Sequence, residues 1–580
     1  MAIFTGNMHS FRTAYPLGAR LLCAAFAAAF FLPQAANAQS EANARLEKKY
    51  PDTVYVADFG ATPDDGLDDT EAVNKAVAAA KSGTRIVFGN GVYDFKKMTK
   101  AIAAIIVEKK EGIALDGRGA TLTAHAEGAY IAIAGSQNIG IYGFKIKQAA
   151  PTHALAKIDK IDKAAATFDC SLFEPSVAEQ RYVKAITSFD PIKRIFTPDS
   201  DIYQTKFRKF AEPIDSWTLR VPLANPAVSL DEGATVVLRY QVYAPPAIIA
   251  ANSRNITLSD IAIASHAGMG VFACNCENIH AEKIAIAPDS ESEMISTTAD
   301  GIHLANCRGK IRIENSVFDK CGDDCINIHQ NYWVVAEITG ANSMKLRLGK
   351  KLGGLVKVFQ PRKFDILEIG SAENWVRPAY FGEVVESVAD AKSAEVYITL
   401  QDPLPSWITP NMPVTNASAL PKVDIEKCSF GSNRGRGIIL LTDGAEVEHC
   451  TFENTALPAV YMKCDYAKWM EGPVPRNIKI ADCKFKNCNH WKLEDGAPAI
   501  FSSAKIPDGM PADGWLSENI KIENCTFEDC SDSPVRLENM MDAADTASVN
   551  EGAGTPNGSP APEPAANADG KKSPNAQAAQ

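Results

Sequence analysis

One short pattern returns along most of this chain: Asn or Gly, then apolar, mostly β-branched residues at alternate positions. It reads Asn138-Ile139-Gly140-Ile141, Asn255-Ile256-Thr257-Leu258, Asn278-Ile279-His280-Ala281, Gly309-Lys310-Ile311-Arg312-Ile313, Asn477-Ile478-Lys479-Ile480 and Asn519-Ile520-Lys521-Ile522. Neighbouring copies such as Asn255 and Asn278 are a little over twenty residues apart, with no helical period between them. A unit that short cannot bury its apolar face alone and must stack on copies of itself. A β-sandwich also uses short alternating strands, but it would not hold the same residue types in register from unit to unit. The pattern therefore predicts an all-β chain, a right-handed parallel β-helix.

A second strand closes several repeats: Gly301-Ile302-His303-Leu304, Cys325-Ile326-Asn327-Ile328, Gly437-Ile438-Ile439-Leu440, Ala459-Val460-Tyr461-Met462 and Ala499-Ile500-Phe501. Successive side chains of a strand face opposite ways. Ile302, Leu304, Ile326, Ile328, Ile438, Leu440, Val460 and Met462 are thus expected inside the coil, and His303, Asn327, Tyr461 and Phe501 on an outward, sugar-binding strip.

Two stretches interrupt the repeat, 152–246 and 332–420; their alternating segments, such as Ser343-Met344-Lys345-Leu346-Arg347-Leu348, read as inserted β-barrel-like domains flanking a site. Repeat coils are expected over 39–151, 247–331 and 421–541. At the start, Asp58-Phe59-Gly60-Ala61, Asp68-Asp69-Thr70-Glu71-Ala72-Val73 and Gly89-Asn90-Gly91-Val92-Tyr93 resemble the N-terminal cap of pectate-lyase-like β-helices. An amphipathic helix over 69–80 would cover the open end of the solenoid, where strand edges invite aggregation. Asp68 with Glu71 reads as its capping box, and the acidic cluster at 64–69 as capping rather than calcium binding.

The chain ends carry a different kind of information. Arg12 and Arg20, an apolar run over 21–32 and Ala36-Asn37-Ala38 read as a secretory signal peptide over 1–38, so export to the periplasm or outside is expected. The run stops at Pro33, short of the about 20 residues that span a bilayer, so no transmembrane anchor is expected. Removing 1–38, which hold two arginines and no acidic residue, takes the net charge from −11 to −13. Nothing so acidic invites nucleic acid. The 46% hydrophobic content suffices for a large core, but 542–580 is Ala, Pro, Gly, Asn and Ser with almost no large apolar residue, and reads as a disordered tail.

Without Cys23, thirteen cysteines remain, an odd number for an exported chain. Cys428, Cys450, Cys483 and Cys525 each stand two residues before Phe430, Phe452, Phe485 and Phe527, and Cys321, Cys488 and Cys530 three residues after Phe318, Phe485 and Phe527. That register predicts ladders of small apolar residues in the coil wall rather than a metal site, which wants tight Cys pairs with His. Cys276 and Cys307 share a column where a disulfide is conceivable.

Acidic residues concentrate at two bends, Thr298-Ala299-Asp300-Gly301 and Gly322-Asp323-Asp324-Cys325, one coil apart. Coils stack about 4.8 Å apart, so Asp300 and Asp324 are expected in one column with Asp323 beside them. Crowded carboxylates raise at least one pKa, which leaves one group protonated as an acid and another ionised as a base, the division glycoside hydrolysis needs. The alternative is that Asp merely caps turns, as it often does.

Thr298-Ala299-Asp300-Gly301-Ile302-His303-Leu304-Ala305-Asn306-Cys307-Arg308-Gly309, followed by Cys321-Gly322-Asp323-Asp324-Cys325-Ile326-Asn327-Ile328-His329, resembles glycoside hydrolase family 110, the β-helical α-1,3-galactosidases. The likeness spans most of the chain, including both interruptions. It implies an inverting hydrolase without metal or cofactor, acting on a galactose-terminated glycan, with Asp323 as general acid and Asp300 and Asp324 on the base side. Cys325 departs from it, standing where a smaller residue is expected. His303, Asn327 and His329 near the cluster, and Trp333, Arg436 and Tyr461 further out, are candidate substrate contacts. Family 28 polygalacturonases share the Asp, Asp-Asp layout, but their Gly-His-Gly and Arg-Ile-Lys motifs are missing here. A polysaccharide lyase, which would need Ca²⁺ and a basic residue, and a non-catalytic glycan-binding β-helix are the other readings.

Overall fold

The protein was analysed as a computed structural model that describes residues 44–546, apart from 101, 176–180, 291–292, 350–355, 391–392, 493–496, 507–509, 511–516, 539 and 542–544. The signal-peptide segment and nearly all of the tail lie outside the described residues. Among these, no helix is long and apolar enough to cross a membrane.

Two long sheets wind the chain into a β-helix, one of nineteen parallel strands and one of eleven, of which ten run parallel and one short strand antiparallel. In the first, a single column runs Ile139, Ile256, Ile279, Ile311, Val423, Ala445, Ile478, Ile520. In the second it runs Ile131, Ile248, Val271, Ile302, Ile326, Ile438, Val460, Ile500. Both belong to one continuous buried core. The recurrent Asn has a physical reason: Asn138, Asn255 and Asn278 take left-handed φ of 57°, 55° and 57°, a region Asn tolerates better than other side chains with a Cβ. Their amides also form a chain, Asn255 donating to Asn138 and Asn278 to Asn255, each at 2.9 Å. Gly309, φ 70°, opens the next strand with the same backbone geometry.

Register survives both interruptions. Asn255 bonds to Asn138 across 117 residues, the segment between forming an eight-stranded antiparallel sheet from His153–Asp162 to Thr235–Arg239. Lys310 likewise pairs with Lys422, and the chain between makes a closed six-stranded barrel from Trp333–Gly340 to Pro413–Asn416. Each insert has its own core.

The cap helix is Thr70–Ala79, packed on the first coils through Val73, Ala76 and Val77. The capping box is corrected: Asp69 is the N-cap and makes no side-chain cap bond. Asp68 accepts from Thr70 and Lys96, while Glu71 pairs with Lys75 one turn on. Asp64 and Asp69 take up backbone N–H groups of Val92, Thr62 and Asp94, so this cluster holds loops.

The Cys276–Cys307 pairing is also corrected. All thirteen described cysteines are free thiols, and Cys276 and Cys307 instead donate to backbone carbonyls. The ladder forms: Cys428, Cys450, Cys483 and Cys525 each donate to a carbonyl of the preceding coil at 3.5–3.7 Å. Beside it Phe318, Phe430, Phe452, Phe485 and Phe527 stack nearly parallel at 4.6–5.3 Å. Phe452 lies inside this stack, 1% exposed, so Phe452→Ala empties one layer and deprives both neighbours. Such a cavity costs about 3–5 kcal/mol, and a solenoid transmits the loss to adjacent coils. Chemical denaturation should show a lowered midpoint; an unchanged midpoint would mean the stack is not a source of stability.

Candidate active site

The acidic bends precede the strands Ile302–Ala305 and Ile326–Asn331, which pair directly with each other and onward with Ile438–Leu440. Extending that register two residues back puts Asp300, Asp324 and Arg436 in one column. The bends stack tightly because glycines stand where they meet. A Cβ on Gly322 would lie 2.7 Å from the Thr298 carbonyl, and one on Gly435 2.6 Å from Asp324 Oδ1.

The three carboxylates converge, one oxygen of each lying within 4.8 Å of one of each of the others. The Asp324 N–H donates to Asp300 Oδ1 at 3.3 Å, and the Arg436 N–H to Asp324 Oδ1 at 2.7 Å. Arg434 Nη1 donates to Asp323 Oδ1 at 2.9 Å. Asp323 is the most accessible of the three, its side chain 18% exposed against 8% and 7% for Asp300 and Asp324.

Burial pushes the carboxyls of Asp323 and Asp324 up. Arg434 pulls Asp323 back while Asp300 raises it; Arg436 pulls Asp324 back while Asp323 and Asp300 raise it, leaving Asp324 well above the carboxylate range. Like charges this close oppose one another's ionisation, which favours the protonated forms of Asp323 and Asp324.

His303 Nδ1 meets Asp300 Oδ2 at 2.7 Å, and its Nε2 meets His329 Nε2 at 2.9 Å. Burial opposes charge on His303, but its bond to Asp300 and the charges of Asp300, Glu471 and Asp324 prevail and raise its pKa. His329 goes the other way, driven well below the ordinary value by burial and by His303. Of the pair, His303 is thus the one whose charged form is favoured. Glu471, 3.9 Å from His329, is pushed up to about 7 by burial, with His303 lowering it and Asp300 raising it.

Of the other expected contacts, Arg436 packs 4.4 Å over the Tyr461 ring and reaches Asp324 at 3.6 Å. Asn327 is buried beside His303 in the sheet, with Oδ1 unpaired. Trp333 is corrected: it is 1% exposed in the core of the six-stranded barrel, where its size fills the interior, and faces no glycan. Part of the outward strip is also covered, with Tyr461 and Phe501 in an apolar cluster with Tyr332 and Tyr466.

Sequence reasoning missed Arg434, Glu471, Arg239, Asp201 and Tyr243. Arg239, fully buried, ends a strand of the first insert and donates to the carbonyls of Thr298 at 3.1 Å and Gly322 at 2.8 Å, the residues leading into both acidic bends. Tyr243 carries an exposed ring; its hydroxyl is raised by burial first and then by the charges of Asp323, Tyr203 and Asp300. Only Arg434 had a legible signal, standing two residues before Arg436 in the bend one coil past Asp323.

The family described as right handed beta helix region matches residues 414–550, and glycosyl hydrolases family 28 matches 235–342, the stretch with both acidic bends. A protein named alpha-1,3-galactosidase A from Shewanella woodyi is 25% identical over 494 residues, 78% of this chain and 80% of its own. Alpha-1,3-galactosidase B from Bacteroides thetaiotaomicron is 23% identical over 78% of this chain and 79% of its own. Among solved structures, a family 28 exopolygalacturonase from Yersinia enterocolitica superposes with a TM-score of 0.38 and 12% identity, covering 84% of this chain and 77% of that one. The chain is therefore a right-handed parallel β-helix protein, homologous over 78% of its length to proteins named alpha-1,3-galactosidase.

Proposed function

We propose that the protein is an exported glycoside hydrolase that releases terminal α-1,3-linked galactose with inversion at the anomeric carbon. The observation that carries this reading is the cluster of three carboxylates at the bends of successive coils, in a chain that matches proteins named alpha-1,3-galactosidase over 78% of its length. Asp323 is assigned the acid role. Asp324 binds its proton more firmly at rest, but Asp323 presents more of its surface, and an acid must reach the glycosidic oxygen. Its proton passes to that oxygen as the bond to the anomeric carbon breaks, while a water gives its proton to Asp300 and bonds to that carbon. Asp324 holds this water from the other side.

Carboxyl groups of inverting enzymes are commonly about 6.5 to 9.5 Å apart, whereas here one oxygen of each carboxylate comes within 4.8 Å of the others. Inversion is favoured here by depth rather than spacing. Asp300 and Asp324 are recessed behind Asp323, so a sugar seated against Asp323 leaves a water layer in front of them. The exposed ring of Tyr243 suits the apolar face of a galactose, and Arg436 and His303 its hydroxyls. Export rests on the leader-like segment at 1–38.

The test is a panel of small α-galactosides, α-1,3-linked digalactosides foremost, followed by proton NMR from the first turnover. Free galactose appearing first as the β-anomer is expected. No galactose from any substrate would reject the activity, and α-galactose first would reject inversion.

A further inference from the structure

The first insert does more than flank the carboxylates. Arg434, which binds Asp323, turns the rest of its guanidinium to Asp201 of the insert, Nε to Oδ1 at 3.1 Å and Nη2 to Oδ2 in close contact. Asp201 also accepts from the Thr187 hydroxyl at 3.0 Å and lies 3.8 Å from Arg239. The Tyr203 ring stands between the two arginines, each 5.0 Å from its centroid. Asp201, Thr187, Tyr203 and Arg239 all lie in the insert, and Asp323 and Arg434 on successive β-helix coils.

We infer that the first inserted domain is a working part of the catalytic centre, with Asp201 acting through Arg434 as a positioning residue for Asp323. The inference rests on the acid role proposed above. An arginine beside a carboxylate lowers its pKa by about 1–3 units, which would strip an acid of its proton. Asp201 counters this by taking a two-pronged contact with the same guanidinium, the stronger geometry for a planar fork. Burial pushes Asp201 up, but Arg434, Arg239 and Thr187 together hold it below its ordinary value. Around Asp323 the remaining groups are Asp300, Asp324, Arg436, Arg239, Tyr203 and Tyr243. Arg434 donates to the Asp323 carboxylate at hydrogen-bond distance, 2.9 Å.

The sign follows. In Asp201→Asn the whole charge of Arg434 falls to Asp323, the ionised form is favoured, and the proton leaves at lower pH. The alkaline limb of the kcat/KM profile should move down by about one unit, a tenfold loss on that limb, with the acidic limb in place. Arg434→Gln should move it up, and adding Asp201→Asn to that variant should move it down by much less than in the parent, the remainder running through Arg239, which faces both carboxylates. Infrared difference spectra of full-length protein against pH, with Asp323→Asn as the blank, read the same proton without substrate. A downward shift in Asp201→Asn by both methods supports the inference; an unmoved infrared titration overturns it. Should Asp201→Asn fail to fold, an unmoved titration in Arg434→Gln overturns it equally. If the infrared titration moves but the parent releases no galactose, the coupling stands and only the galactosidase reading falls.

Discussion

Asp323→Asn is expected to lower kcat on an α-1,3-linked digalactoside by about 10²–10⁴-fold, the range for removing a general acid, and to lose far less on an aryl α-galactoside. A sugar hydroxyl is a poor leaving group and needs the proton of Asp323 as the bond breaks. A nitrophenolate leaves without one. The variant should keep its substrate affinity, since Asn preserves shape and can still meet Arg434, whose charge remains shared with Asp201. In the parent, the alkaline limb should lie above the ordinary carboxylate range, because burial and then Asp300 raise Asp323 against Arg434. It should vanish in Asp323→Asn. Initial rates on both substrates across pH check this. An equal loss on both would remove Asp323 from the acid role, since a group that only shapes the site does not distinguish leaving groups.

Why the carboxylates could be seen in the sequence and their controllers could not is a matter of period. A solenoid writes its contacts into the chain at a spacing of one coil, so that Asp300 and Asp324, separated by one repeat, had to meet once Ile302 and Ile326 were aligned. The same arithmetic aligns Arg436 with Asp324 across the second insert, if the insert is first removed from the count. The Phe and Cys ladders are visible for the same reason. Arg239 and Asp201 follow no such rule. They lie in an antiparallel sheet without repeats, and their contacts with Gly322 and Arg434 span 83 and 233 residues, distances set by how that sheet docks. Glu471 is likewise delivered by a two-residue strand that folds back antiparallel on Gln330 and Asn331. Trp333 shows the reverse error. It follows the strand that carries Asn327 and His329, but it already begins the barrel, where alternation places it in a different core.

Asp300→Asn should be the second near-complete loss, again about 10²–10⁴-fold in kcat, and its rescue distinguishes the mechanisms. Asp300 is the better base of the recessed pair. Burial and the charges of Asp323 and Asp300 favour the protonated form of Asp324, whereas Asp300 stands 2.7 Å from His303, whose charged form it favours. Azide needs no base, so it should restore turnover in Asp300→Asn and give β-galactosyl azide, the product of attack opposite the leaving group. It should restore nothing in Asp323→Asn acting on a digalactoside, where the missing proton is on the other oxygen. An α-azide from Asp300→Asn would instead mean that a galactosyl group had first been carried by the protein, which would exclude single-step inversion. Full activity in Asp300→Asn would move the base role to Asp324.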